Sequence, residues 1–129
     1  MTSNILLDVQ GEVSKIEKSD FKGISVIEVL TPEGIEVKME VPQQLLQIKE
    51  NTKVRLLVSM EPSIEQAIGQ EVDGLFLCTI YGIERYKKGK EERARIYGSI
   101  GGLQVRIDGK GIHKKVKMGD KVYVGLKVL

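Results

Sequence analysis

The sequence predicts an all-β fold, a small antiparallel barrel or sandwich of eight strands. Three observations point to it. Apolar residues recur with a period of two, turn-forming residues punctuate the chain at short intervals, and stretches suited to helix are scarce. The chain has 129 residues, 41% of them hydrophobic and 29% charged. That balance excludes a disordered chain, and the length suffices to bury roughly two-thirds of the unfolded surface without disulfide or metal. No repeat or Ser/Pro-rich linker divides it, so one domain over residues 1–129 is expected.

The strands follow in order. Leu7, Val9, Gly11 and Val13 alternate with Asp8, Gln10, Glu12 and Ser14, as a strand with one core face and one wet face does. Ile24–Leu30 forms the second run. Ile35, Val37, Met39 and Val41 alternate with Glu36, Lys38 and Glu40 in the third. The remaining β-rich runs are Lys53–Ser59, Gly74–Glu84, Arg93–Ile100, Leu103–Asp108 and Lys121–Val128. Thr31-Pro32-Glu33-Gly34 supplies fixed φ at Pro and cheap positive φ at Gly, as a hairpin turn requires. Lys87-Lys88-Gly89-Lys90 reads as a polar hairpin tip, and Lys117-Met118-Gly119-Asp120 as a turn into the last strand. Gly101-Gly102 fits a tight primed turn between two strands, with a bulge inside one long strand as the competing reading. One short helix is expected over Pro42–Lys49, and Glu61–Glu71 suits a short helix or a mobile loop.

Charge is uneven along the chain. Residues 1–73 hold 7 Lys and Arg against 13 Asp and Glu, whereas residues 74–129 hold 13 against 5. Such asymmetry suits a basic surface facing an acidic partner. The alternative is that the two halves interleave in one barrel and the charges mix over its surface.

The inventory for chemistry is thin. No phosphate-binding loop, dinucleotide fingerprint, zinc-protease helix motif or nucleophile elbow occurs. The single histidine, His113, lies among Lys110, Lys114 and Lys115 and reads as a solvated loop residue. The single cysteine, Cys78, lies in an apolar run and reads as a small buried residue. One His and one Cys cannot supply four zinc ligands, and no disulfide can form within the chain. No catalytic, cofactor-binding or metal-ligating residue is therefore expected, and no small-molecule substrate. No apolar run reaches the ~18–20 residues of a membrane span. Met1-Thr2-Ser3-Asn4 lacks the basic start of a signal segment, so a soluble cytoplasmic protein is expected.

A nucleic-acid surface has more material. Arg85, Tyr86, Lys87, Lys88, Lys90 and Arg93 surround one hairpin, and Tyr86 is placed to stack beside two cations. The aromatic supply is weak, with no Trp and only two Phe. Phe76, Tyr81 and Tyr97 fall in strand runs, where core or sheet packing is expected of them.

The second half carries a longer pattern, Tyr97-Gly98-Ser99-Ile100-Gly101-Gly102-Leu103-Gln104-Val105-Arg106-Ile107-Asp108-Gly109. It resembles the Y-x-S-x-G-G-L-x-x-R-[LI]-x-G signature of the eighth subunit shared by nuclear RNA polymerases I, II and III and of its archaeal counterpart. Ile80-Tyr81-Gly82 before a charged hairpin, and Met118–Val124 through Lys127, are similar to further blocks of that family. The resemblance covers residues 74–129, while residues 5–59 match in strand order and spacing only. Two departures from the eukaryotic pattern stand out. Ile100 replaces an aromatic and Gln104 an apolar residue, and Met60–Asp73 replaces a longer acidic loop. The short loop fits an archaeal member.

The resemblance implies an eight-stranded antiparallel barrel of OB-fold type. It implies a non-catalytic structural subunit docked on the largest polymerase subunit, in contact with the core enzyme. Read physically, Tyr97, Ser99 and Arg106 occupy alternate strand positions and share one face. Gly101, Gly102 and Leu103 flank it at the turn. Arg106 is suited to bidentate contact with a carboxylate, and these six residues are the candidate protein interface. The bland alternative makes the glycines mere turn formers, Leu103 a barrel filler and Arg106 a solvated cation. A free-standing OB-fold protein binding single-stranded DNA or RNA is the rival function.

Overall fold

The computed structural model describes residues 5–44 and 48–129. It contains eight strands, β1 (Ile5–Lys18), β2 (Ile24–Leu30), β3 (Glu36–Pro42), β4 (Lys53–Ser59), β5 (Gly74–Lys88), β6 (Glu91–Ile100), β7 (Leu103–Gly109) and β8 (Lys121–Val128). They close an antiparallel, OB-fold-like barrel in the order β1-β2-β3-β7-β6-β5-β8-β4. All eight expected strands are present. One short helix, α1 (Ile64–Ile68), and one 3-10 turn (Ile112–Lys114) complete the described elements. The helix expected over Pro42–Lys49 finds no support at its start, because Pro42 is the last residue of β3; residues 45–47 lie outside the described residues.

Alternation decides which side chains enter the barrel. Val37, Met39 and Val41 of β3 are buried, and so are Val54, Leu56 and Val58 of β4 and Val122, Val124 and Leu126 of β8. The lumen is thus filled almost wholly by aliphatic side chains, which an eight-stranded barrel has just the room to hold. Fully burying each Leu or Ile stabilises the fold by about 2 kcal/mol. A second apolar contact lies outside the barrel wall. Leu57 points outward opposite Gly125 of β8 and is fully buried, as is Ile64 of α1. A Cβ at Gly125 would lie 3.4 Å from the Ile64 side chain, so the absent side chain lets the helix sit down on the sheet.

The hairpins use the turn chemistry anticipated for them. Gly34 N–H donates to the Thr31 carbonyl at 3.0 Å and closes the β2–β3 turn. Ile100 pairs with Leu103, so Gly101-Gly102 is a two-residue turn rather than a bulge. Both glycines have positive φ, +55° and +97°, as a primed turn demands. The β5–β6 ladder runs out to Lys88 opposite Glu91, leaving only Gly89-Lys90 at its tip.

Strand order also resolves the fate of the charge asymmetry. Going round the barrel, β4-β1-β2-β3 are contiguous and so are β7-β6-β5-β8. The acidic half of the chain therefore forms one side of the barrel and the basic half the other. Among the described strands, the two halves pair at the β3–β7 and β4–β8 seams. They do not interleave.

Inside the wall, Cys78 packs against Gly98 so closely that a Cβ there would sit 2.2 Å from the thiol sulfur. Gly98→Ala is expected to destabilise the protein by about 2 kcal/mol through overpacking. The same substitution in a Cys78→Ala background is expected to cost less than half as much, since the sulfur is gone. Urea denaturation of the four members of the cycle measures the coupling.

Candidate functional site

Among the described residues, a rich polar arrangement lies on the outer surface of β5, β6 and β7 near the tip of the β5–β6 hairpin. Register puts Tyr86 opposite Arg93 and Arg95 opposite Asp108. All four side chains leave the barrel on the same side and converge. The Tyr86 hydroxyl donates to Asp108 Oδ1 at 2.5 Å, and Arg93 Nε donates to the Tyr86 oxygen at 3.2 Å. Arg93 Nη2 also reaches Asp108 Oδ1 at 3.4 Å, and Arg95 Nε donates to Oδ2 at 3.1 Å. Asp108 is only 5% exposed despite its outward direction, because these three side chains cover it.

Further contacts close the arrangement. The Arg95 guanidinium lies 4.1 Å from the Tyr86 ring centroid and donates to Glu84 at 2.7 Å. Arg93 Nη2 donates to the Gly34 carbonyl at 2.7 Å, tying the β2–β3 turn to β6. Arg93 is raised above the usual arginine range, first by its hydrogen bond to Tyr86, against the opposing effect of desolvation. Both oxygens of the buried carboxylate are thus matched by donors from the same chain.

This arrangement divides the six residues singled out for nucleic-acid contact. Tyr86 and Arg93 are committed to Asp108 and are half-buried. Arg85, Lys87, Lys88 and Lys90 are exposed, and none forms an ion pair among the described residues. In the ladder Lys87 stands opposite Glu92 and Lys88 opposite Glu91, which dilutes the positive charge of the tip.

The six residues of the candidate protein interface fall together at the other end of the same hairpin pair. Tyr97 pairs with Arg106 and Ser99 with Gln104, so Tyr97, Ser99 and Arg106 do share the outward face. Tyr97 lies over Gly82, where a Cβ would meet the ring at 3.2 Å, and beside Tyr81 with centroids 6.3 Å apart. Ser99 Oγ accepts the Gly102 N–H at 3.2 Å and so braces the glycine turn. Leu103 is half-buried at the rim and does not join the core cluster, contrary to a barrel-filling role. Arg106 is half-buried and forms no ion pair among the described residues. With Lys38, Glu40, Tyr81, Tyr97 and Gln104 it lines a shallow groove of ≈ 240 Å³.

That groove opens where β3 and β7 part. Their pairing ends at Met39 opposite Val105, and the Gln104 N–H turns instead to Glu40 Oε1 at 2.7 Å. The Tyr81 hydroxyl donates to the Gln104 side chain.

One expectation is narrowed here and one is corrected. Tyr81, expected in core or sheet packing, packs on the sheet surface beside Tyr97 rather than in the core, with an outward side chain that is 50% exposed. His113, expected to be solvated, is half-buried in the 3-10 turn with a buried Nδ1 that has no partner among the described residues. Phe76 does pack against the core, and Cys78 is buried as expected. Burial pushes the Cys78 thiol up to about 11, partly opposed by a hydrogen bond from the Ser99 backbone.

One feature of this side escaped sequence reasoning. Leu75 and Leu77 point outward from β5 and are 41% and 47% exposed. Tyr123 of β8 is opposite Leu77. The alternation was hidden because Gly74–Ile80 is apolar on both faces, so the run reads as buried throughout. The one available signal was that the run lies in a barrel, where only alternate residues can enter the lumen.

The fold and this surface define a closed β-barrel whose polar clusters are satisfied within the chain and whose outer face carries exposed apolar side chains. Residues 6–128 match the model of the RpbG family, whose members are subunits of DNA-directed RNA polymerase. The chain belongs to that family, the type of the eighth subunit of the nuclear enzymes, and is one component of a multisubunit RNA polymerase. No curated protein matches it. Among solved structures it is similar to the cytoplasmic molybdate-binding protein ModG in a PEG-grown, molybdate-bound form. That likeness has 15% identity over 95% of this chain and 93% of that one, with a TM-score of 0.37, and carries no inference about this chain. Among the described residues no helix is long and apolar enough to cross a membrane.

Two outcomes test the site. Asp108→Ala strands two guanidiniums and a hydroxyl, so a loss of about 3 kcal/mol is expected in thermal or urea denaturation. Asp108→Asn keeps the shape and one acceptor and is expected to lose less. Cys78 is protonated at pH 8, since its thiol titrates near 11, so it is expected to resist a disulfide reagent until the protein unfolds. Its burial favours the fold fully below the ordinary thiol range and progressively less as pH rises through about 11.

Proposed function

We propose that this chain is a non-catalytic structural subunit that docks on the largest subunit of an archaeal-type RNA polymerase and supports assembly of the core enzyme in the cytoplasm. The family match over residues 6–128 carries the reading. The surface chemistry supports it. The Tyr86–Asp108–Arg93–Arg95 cluster holds three strands and a turn together, and its donors are spent on its own carboxylate. Such a group stiffens a scaffold. It has no base poised on a free nucleophile.

Docking through Tyr97, Ser99, Gly101, Gly102, Leu103 and Arg106 suits this role. The glycine turn exposes bare backbone for close approach, and the Arg106 guanidinium is available to a carboxylate. The barrel wall holds these residues on strands and one tight turn rather than on long loops, which keeps the surface rigid before it meets a partner.

The rival reading, a free-standing binder of single-stranded nucleic acid, draws support from the exposed cations Arg85, Lys87, Lys88 and Lys90. It lacks a stacking platform beside them, because the Tyr86 ring is covered by Arg95. Affinity-tagged chain purified from its native cell is expected to bring down core polymerase in near-equal amount. Recovery of the chain without polymerase, together with tight oligonucleotide binding at physiological salt, would favour the rival instead.

A further inference from the structure

We infer that the outer face of β8, β5 and β6 seats an apolar protein segment whose margins carry carboxylates, and this rests on the polymerase-subunit reading above. The apolar contribution is concentrated and rigid. Leu75 and Leu77 stand on alternate outward positions of β5, and Tyr81, at the β-bulge between Ile80 and Gly82, is exposed beyond Thr79. Met118, 61% exposed, lies in the turn that leads into β8. That turn is strapped to β5 beside Tyr81, since the Gly119 N–H donates to the Ile80 carbonyl at 2.8 Å. Isolated exposed leucines are ordinary, but Leu75, Leu77 and Tyr81 share one strand's outer side and Met118 lies in the turn strapped to it. This is a gathering of exposed apolar side chains of the kind that marks an interaction surface.

The charges around the patch select the partner. Lys121 pairs with Thr79 in the ladder, between Leu77 and Tyr81, and Arg106 stands opposite Tyr97. Neither cation forms an ion pair among the described residues; Glu40, which lines the groove with Arg106, is engaged by the Gln104 N–H instead. Both belong to the basic side of the barrel, β7-β6-β5-β8, and the Asp120 carboxylate nearby is turned to the Lys117 backbone N–H at 2.8 Å. A partner that buries this patch must neutralise Lys121 and Arg106, which calls for Asp or Glu at the edge of its apolar contact. The aliphatic character of Leu75, Leu77 and Met118 favours a protein segment over nucleic acid, whose bases stack on aromatic and guanidinium planes.

The test uses tagged full-length chain in its native cell. Leu77→Asp and Arg106→Glu are each expected to reduce co-purified polymerase by about tenfold or more, as substitutions at interface anchors do. Glu12→Lys, on the acidic side of the barrel, is expected to leave recovery unchanged. Thermal midpoints of the isolated variants identify any that misfold, and Leu75→Ser with Leu77→Ser gives a milder pair should Leu77→Asp fail to fold. Normal recovery with well-folded Leu77 variants overturns the inference while leaving the polymerase assignment intact. Failure of the wild-type chain to recover polymerase overturns the assignment itself. Two further results also count against the inference when recovery stays normal. One is loss of oligo-dT binding in Leu77→Asp, which would give the face to nucleic acid. The other is loss of self-association in that variant, which would give it to a second copy of the chain.

Discussion

The requirement that no strand edge be left open governs this molecule. A sheet of eight strands that fails to close exposes two rows of unpaired N–H and C=O groups. Here closure is made at the β3–β7 and β4–β8 seams, and the seams differ in strength. The β4–β8 ladder runs through six residue pairs from Val54 opposite Val128 to Ser59 opposite Tyr123. The β3–β7 ladder has only four, from Glu36 opposite Asp108 to Met39 opposite Val105. Side chains take over where the shorter ladder stops. Glu40 accepts the Gln104 N–H beyond one end, and Arg93 reaches the Gly34 carbonyl beyond the other.

That reinforcement explains why the residues around the short seam look functional when taken singly. Arg93, Arg95 and Tyr86 resemble a basic and aromatic binding patch in sequence. In three dimensions their first task is to satisfy Asp108, the β7 residue opposite Glu36 at the seam's end. Burying a carboxylate there is tolerable because three donors surround it, and the same donors bind β5, β6 and the β2–β3 turn into one unit. The proposed docking face and this structural cluster share strands without sharing residues.

Much of the fold was legible because its signals are local. The alternation in Ile35–Val41 and the turn chemistry at Pro32-Glu33-Gly34 and Gly101-Gly102 act within a few residues, and each strand and hairpin they imply is present. The signature around Tyr97–Gly109 likewise placed Tyr97, Ser99 and Arg106 on one face. What escaped depends on strand order and register. Asp108 lies 22 residues from Tyr86 along the chain and meets it only through the β5–β6–β7 pairing. The segregation of acidic from basic strands follows from barrel order, which no single segment encodes. The exposure of Leu75 and Leu77 was masked for a third reason. An apolar residue reads the same whether the lumen or a partner is meant to cover it.

The contiguity of each half bears on how the polypeptide matures. Strands β1 to β4 are contiguous in the barrel, since β1 contacts both β2 and β4 and β2 contacts β3. Taken alone, they are a four-stranded sheet whose two edges are covered by β7 and β8. During synthesis, most of the remaining chain must emerge before either edge is covered, and β8, which covers β4, comes last. Without β7 and β8, that half would leave its aliphatic inner face and both flanks open. The excess of acidic side chains along that half would repel a second copy exposing the same face.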